Sequence, residues 1–379
     1  MEEKKEIITP QDLPRLLKEN PDINFIGWTC TPWQAIGVDA ALMRLQKEGV
    51  KLKGICFVEP KPNFGYLCTT ENAYVNNFSK KYYYEPSNAP YKRSEWRKNH
   101  YRFVFKDYKK TRDDNTLYIV EPFCNIVLGV VAYTTLPHRH ICFVQSDEGV
   151  APYLGTLEAD PPKIHSIHSF LSFCKFELYR KKDKMFKSHF DYLNCRIFLQ
   201  EKDKSISLND VMVPYFRESI ERKTRMTIRT SFDVDLRDSV VICTTAWFRN
   251  EIKDDEDLKV LINVCDYIYA KGHKIILKPH PRDEFFAKHA KYLHADILGY
   301  SIPIETICAI TQPKAMIGFS TTALETAKLF WNIPVFCISN MLDRTKLSHF
   351  YLREIDNFKL VFRKLIKFVD NVEEIDIPI

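Results

Sequence analysis

Apolar positions along the chain fall into two alternating textures. Short apolar runs rich in β-branched and aromatic residues predict strands at Ile23–Thr29, Lys51–Glu59, Leu117–Phe123 and His140–Gln145. Between the first two, Trp33–Glu48 places Ile36, Ala40, Leu42 and Leu45 near helical spacing, which predicts a strand–helix–strand unit. A short helix and connector is expected before it, over residues 1–22. Residues 60–112 read as irregular, 125–134 as a helix, and 158–228 as mostly helical. A polar, aperiodic stretch at 229–238 (RTSFDVDLRDS) interrupts the pattern, and a fresh series follows it. That series predicts strands at Val240–Thr244, 274–278, 295–299, Met316–Phe319 and Val335–Ile338, the last of them. Helices are predicted at 254–271, 284–293, from Ile304, at Thr322–Phe330 and at 357–371. Strands alternating with helices imply parallel sheets covered on both faces. The expected fold is therefore α/β, with two Rossmann-like, doubly wound domains facing a cleft, at residues 1–230 and 231–379.

Composition agrees with two globular domains. The 379 residues are 45% hydrophobic and 27% charged, and no run approaches the length of a membrane span. The first residues, MEEKKEIITPQDLPRLL, lack the apolar segment of a signal peptide. Eleven cysteines are scattered without a CxxC pair, as expected of reduced thiols in a cytoplasm. The net charge is +6, unevenly spread. Lys92–Arg112 holds nine Lys and Arg against two acids, with five aromatic residues interleaved and Tyr91 just before it; a second basic run is Lys175–Lys187. Patches of this kind attract polyanions or an anionic membrane face, and equally serve as solvated surface. His138, His140, His165 and His168 have no acidic or Cys partners at a metal-ligand spacing.

Candidate chemistry gathers where predicted strands end. The stretch Lys274–Pro281 runs from strand residues into Lys278-Pro279-His280-Pro281, where two prolines stop helix and sheet alike. In open α/β sheets, ligands bind outside the carboxyl ends of the strands. Three other strand ends carry polar equipment: Thr31-Pro32-Trp33-Gln34, Ser146-Asp147-Glu148-Gly149 and Gly318-Phe319-Ser320-Thr321-Thr322. Hydroxyl residues at a helix start cap it, and the free N–H groups beside them suit an anion.

An acidic-acidic-Gly triplet, a His-Pro pair and a Ser-(Ser/Thr) pair, in this order, resemble the three motifs of bacterial sialyltransferases of the two-domain GT-B fold. Here they are Asp147-Glu148-Gly149, His280-Pro281 and Ser320-Thr321. The resemblance is to capsular polysialyltransferases (glycosyltransferase family 38) and to lipooligosaccharide sialyltransferases (family 52). Thr31 and Gln34 are similar to a conserved-pattern Ser/Thr-Pro-x-Gln of those enzymes, and Glu305 falls where they hold the ribose of CMP. The resemblance spans roughly residues 23–340.

It implies an inverting transfer of sialic acid from CMP-sialic acid to a glycan, by single displacement. Glu148 would be the base, with Asp147 as the alternative. His280 would meet the leaving phosphate. Lys278, Pro281, Ser320, Thr321, Thr322 and Glu305 would line the nucleotide side. Thr31, Gln34, Asp147 and Gly149 would line the acceptor side. Lys109 and Lys110, in the basic stretch, would attract an anionic glycan or glycolipid. No metal or other cofactor is expected, no nucleic acid partner, and a cytoplasmic location with peripheral contact at the inner membrane. Two other readings stay open at this point. One is a CDP-glycerol or polyol-phosphate transferase of the same fold, and the other is a non-catalytic polyanion-binding protein.

Overall fold

The computed structural model describes residues 7–8, 12–29, 32–58, 78–84, 115–121, 132, 135–136, 139–146, 166, 170–171, 173–174, 191–197, 206–224, 235–245, 251–280, 283, 285–298 and 303–378. The chain divides into two compact units. One comprises Met1–Lys61, Thr69–Glu148 and Glu158–Val211; the other comprises Pro62–Cys68, Gly149–Leu157 and Met212–Ile379.

In the first unit, β1 (Ile7–Ile8) and α1 (Leu13–Glu19) precede β2 (Phe25–Thr29), α2 (Pro32–Lys47), β3 (Gly54–Val58), β4 (Phe78–Tyr84), β5 (Leu117–Glu121), β6 (Ile141–Gln145), β7 (Asp191–Arg196) and β8 (Ile206–Ser207). They form one eight-stranded sheet in the order β1-β4-β3-β2-β5-β6-β7-β8, with every pairing parallel. The central strands β2, β3 and β5 are buried along their whole length, the mark of a sheet covered on both faces. Their side chains, with Leu13, Leu16 and Leu17 of α1, make a core that includes Ile26, Ile55, Phe57, Ile119 and Phe143.

Helix α3 (Asn209–Thr224) leads to the second series: β9 (Ser239–Cys243), α4 (Glu256–Ala270), β10 (Lys274–Lys278), α5 (Phe285–His289), β11 (Ala295–Ile297), α6 (Ile304–Cys308), β12 (Ala315–Gly318), α7 (Thr322–Trp331), β13 (Val335–Cys337), α8 (His349–Phe362) and β14 (Lys367–Phe368). The six strands pair in parallel in the order β11-β10-β9-β12-β13-β14. Counted from β9, this is 3-2-1-4-5-6, the doubly wound order of dinucleotide-binding sheets. Its core joins Val240, Ile242, Leu261, Val264, Ile275, Leu277, Ile317 and Phe336. Phe216 of α3 packs on Phe330 and Trp331 of α7, with ring centroids 5.9 and 6.3 Å apart.

Several expected elements differ. β1 stands in the stretch expected to be helix and connector, β4 in the stretch read as irregular, and β7 and β8 in the stretch read as mostly helical. These strands lie toward the edges of the sheet. β7 is only partly buried over its first four residues, so no apolar run announces it. The helix expected at 357–371 starts earlier, because Ser348 caps it: its hydroxyl accepts a hydrogen bond from the Tyr351 N–H at 3.3 Å. Tyr351, Ile355, Phe358 and Phe362 then form its buried stripe. The chain leaves that helix to add β14 beside β13, so the strand at Val335–Cys337 is not the last. Helix α4 begins after Asp254 and Asp255, which both take left-handed backbone angles (φ 56° and 49°) and so hold the helix start to Glu256. The helix expected at 125–134 lies outside the described residues apart from Ala132.

Candidate active site

The sheet order of the second unit reverses between β9 and β12, and the crevice at such a reversal is where doubly wound sheets hold ligands. The ends of three strands stand there in one row, since Lys278, Cys243 and Gly318 are direct partners across β10, β9 and β12. β9 and β12 approach so closely that a Cβ at Gly318 would lie 2.7 Å from the Cys243 carbonyl oxygen. Only glycine fits that position without a shift of backbone. Two of the strand ends singled out from the sequence are thus neighbours, with the end of β9 between them.

His280 follows β10 and is held by its backbone. Its N–H donates to Thr244 Oγ1 at 3.0 Å, and its carbonyl accepts from the Asp283 N–H at 2.8 Å. The Thr244 hydroxyl in turn donates to Asp283 Oδ2. The other carboxylate oxygen of Asp283 caps α5, accepting from the N–H groups of Phe285 and Phe286 at 3.0 and 3.2 Å. A closed ring of hydrogen bonds therefore fixes the His280 backbone between β9 and α5. Thr244 and Asp283 belong to this site and were not expected there. The sequence signal that could have found Asp283 is its place two residues before Phe285, where an acid caps a helix.

Across the row, Thr321 caps α7, its Oγ1 accepting from the Ala323 N–H at 3.4 Å, while Thr322 begins the helix. Ser320 lies 3.2 Å, oxygen to oxygen, from the buried Ser339 hydroxyl beyond β13. Glu305, in the first turn of α6, is buried; Thr326 of α7 donates to its Oε1 at 2.7 Å. Burial pushes the Glu305 carboxyl above its usual range, opposed by the Thr326 hydrogen bond and by the Lys278 ammonium. Lys278 is itself buried. The neighbouring thiols are held protonated by burial: Cys243 is pushed up to about 12, Cys337 to about 11, and Cys308 well above the usual thiol value. None supplies a thiolate at neutral pH.

In the first unit, Gln34 is buried in the opening turns of α2, and Ser146, just past β6, is buried with its N–H on the Glu121 carbonyl at 2.9 Å. Thr31, Asp147, Glu148, Gly149, Pro281, Lys109 and Lys110 lie outside the described residues, as do both basic stretches. Among the described residues, no group of three or more His, Cys, Asp and Glu side chains is placed to hold a metal ion. Nor is any described helix long and apolar enough to cross a membrane.

As chemistry, the row offers an anion a capped helix start, two hydroxyls, a buried lysine and a fixed histidine backbone. Comparison with known proteins gives that anion a context. Residues 29–339 match the family model of the alpha-2,8-polysialyltransferases (POLYST). No curated protein matches the chain. Among solved structures, an alpha/beta-galactoside alpha-2,3-sialyltransferase from Photobacterium phosphoreum is similar at 11% identity and a TM-score of 0.42, over 93% of this chain and 98% of that one. A UDP-GlcNAc 2-epimerase from Methanocaldococcus jannaschii is similar at 12% identity and a TM-score of 0.49, over 92% and 89%. The E. coli heptosyltransferase WaaC is similar at 12% and 0.37, over 83% and 86%.

Proposed function

The chain belongs to the alpha-2,8-polysialyltransferase family, whose model it matches over most of its length, and from that premise we propose an inverting transfer of sialic acid from CMP-sialic acid to an anionic glycan. As a sialyltransferase it uses a nucleotide-sugar donor and a glycan acceptor. The finer reading is a polysialic acid or lipooligosaccharide-type acceptor of a bacterial capsule or surface. It includes work at the cytoplasmic face of the inner membrane by peripheral contact, and no metal. Two doubly wound units in one chain are the make-up of the GT-B class.

The observation that carries the reading is the row at the reversal of the second sheet. Lys278, His280, Glu305, Ser320, Thr321 and Thr322, all named from sequence for the nucleotide side, come from the ends of β10 and β12 and from the starts of α6 and α7. Their chemistry suits a nucleoside monophosphate leaving group. His280 stabilises the departing phosphate, with Pro281 stiffening the turn after it. The start of α7, with Ser320, Thr321 and Thr322, holds phosphate oxygens. Lys278 adds positive charge. Glu305 receives a ribose hydroxyl on the oxygen that Thr326 leaves unshared. Glu148 removes the proton of the attacking acceptor hydroxyl, with Asp147 next in line, and Thr31, Gln34 and Gly149 help hold the acceptor. Attack and departure on opposite faces of the sugar invert the anomeric centre in one displacement.

The test is product analysis after incubation with CMP-sialic acid and a panel of galactosyl- and sialyl-terminated acceptors. Release of CMP with a lengthened glycan is expected. Release of CMP from no acceptor pairing, together with turnover of CDP-glycerol, would overturn it.

A further inference from the structure

The end of β9 carries a residue that neither its sequence context nor the family motifs single out. Past β10 the chain reads Lys278-Pro279-His280-Pro281, and proline has no backbone N–H. From Pro279 to Pro281 the one main-chain donor is therefore the N–H of His280. Thr244, one residue past the paired stretch of β9 and β10, secures this turn twice. Its own N–H donates to the Lys278 carbonyl at 3.2 Å, and its hydroxyl accepts from the His280 N–H at 3.0 Å. The single proton of that hydroxyl goes to Asp283 Oδ2. Asp283 closes the ring from the far side, its N–H donating to the His280 carbonyl at 2.8 Å while Oδ1 accepts from the start of α5.

His280 is thus tethered at both its N–H and its carbonyl. Fixing the backbone on both sides of a residue sets its Cα–Cβ direction and leaves only the side-chain torsions to choose among a few staggered positions. Thr244 is buried at 3% exposure, and its proton and its acceptor contact are both engaged within the ring. Its influence on a ligand therefore passes through His280. We propose that Thr244 and Asp283 are positioning residues for departure of the donor phosphate, holding His280 where it meets that phosphate, with the Thr244 hydroxyl as the group on which the placement turns. The inference rests on the proposed function, and on His280 as the residue at the leaving phosphate. All three residues belong to the second unit, so the inference needs nothing from the acceptor side.

The test uses the full chain with CMP-sialic acid. Loss of the phosphate is common to donor hydrolysis and to transfer. Thr244→Val, which keeps the shape and removes the hydroxyl, is therefore expected to lower both by a similar factor, about tenfold to a hundredfold, as a misplaced catalytic group does. It should also weaken CMP binding in calorimetry. Thr244→Ser, which restores the hydroxyl, should recover most of that loss. Asp283→Asn, which keeps a cap oxygen for α5 and removes the charged acceptor of the Thr244 proton, should fall between the two. The same Thr244→Val change in a His280→Ala background has no imidazole left to place, so it should alter CMP affinity and hydrolysis there by less than about twofold. Wild-type hydrolysis and CMP affinity in Thr244→Val overturn the inference. An equal loss in both backgrounds does so too, because Thr244 then only supports the sheet, and so does a Thr244→Ser enzyme as impaired as Thr244→Val. If Thr244→Val does not fold, Asp283→Asn in the two backgrounds makes the same comparison. These outcomes leave the proposed function standing, because wild-type transfer is still observed. A wild-type enzyme that neither releases CMP nor extends any acceptor instead removes the proposed function, and the inference falls with it.

Discussion

At the scale of single residues, the two proposed reacting groups should fail differently. Glu148→Gln keeps its shape but accepts no proton, and loss of a general base costs about 10²–10⁴-fold in rate. CMP affinity should survive, and donor hydrolysis should fall less than transfer. His280→Ala should lower CMP affinity, transfer and hydrolysis together. Calorimetry with CMP alongside both rate assays checks this; a Glu148→Gln enzyme transferring at wild-type rate would move the base to Asp147. Glu305 carries a second expectation. Burial raises its carboxyl pKa in the fold above the ordinary value of 4.5, so the folded state holds the proton more tightly than the unfolded chain. The stability this contributes is full below the unfolded pKa and is lost as pH rises through the raised, folded value. Glu305→Gln should therefore flatten the decline in melting temperature across that window while weakening CMP binding. Unchanged CMP affinity would remove Glu305 from the nucleotide side. Of this site, the residue types were legible and their partners were not. Lys278, His280, Ser320 and Thr321 stand out as motifs, whereas Thr244, Asp283, Thr326 and Ser339 join them only through sheet order and helix packing, which no local spacing encodes.

At the scale of elements, β9 and β12 touch through Gly318. Gly318→Ala would press a methyl group against the Cys243 carbonyl. Overpacking of this kind costs about 1–3 kcal/mol, measurable as a lower denaturant midpoint with an unchanged slope. A neutral result would mean that the two strands part easily at the row, and that the site tolerates the widening. The central strands were legible because burial on both faces writes a continuous apolar run, as in GICFV and SVVIC. The edge strands were not. FSKKYYY of β4 carries two lysines, DYLNCR of β7 is half-buried at first, and β14 is two residues long. Helix α8 was misplaced because apolar spacing continues past Phe362 into Ile366 and Val369, whose burial comes from the sheet side of the chain. The cap at Ser348, a single hydroxyl, was the better signal.

At the scale of the whole molecule, the second unit is nearly continuous in sequence. Among the described residues, its central core draws only on those between Val240 and Ile375. A fragment from Leu208 to the end should fold cooperatively and bind CMP. A fragment with the hydrogen-exchange pattern of an unfolded chain would show that its stability depends on the first unit. The basic segment 92–112 leads to a prediction about the intact enzyme. Reversing Lys109 and Lys110 to Glu should raise KM for an anionic acceptor and flatten its salt dependence, leaving CMP affinity alone. An acceptor KM insensitive to both would make that segment solvated surface. The sheet order also bears on how the protein is made. β9 sits between β10 and β12, yet β12 leaves the ribosome some 76 residues later, roughly 4–15 s at ordinary rates of synthesis. For that interval a strand that the finished fold buries along its whole length, SVVIC, has one edge unpaired and open to other nascent chains. The same crossover that creates the ligand crevice therefore makes the unfinished polypeptide a client for chaperones. Slowing of translation between Cys243 and Ala315 is the step at which yield would be lost to aggregation.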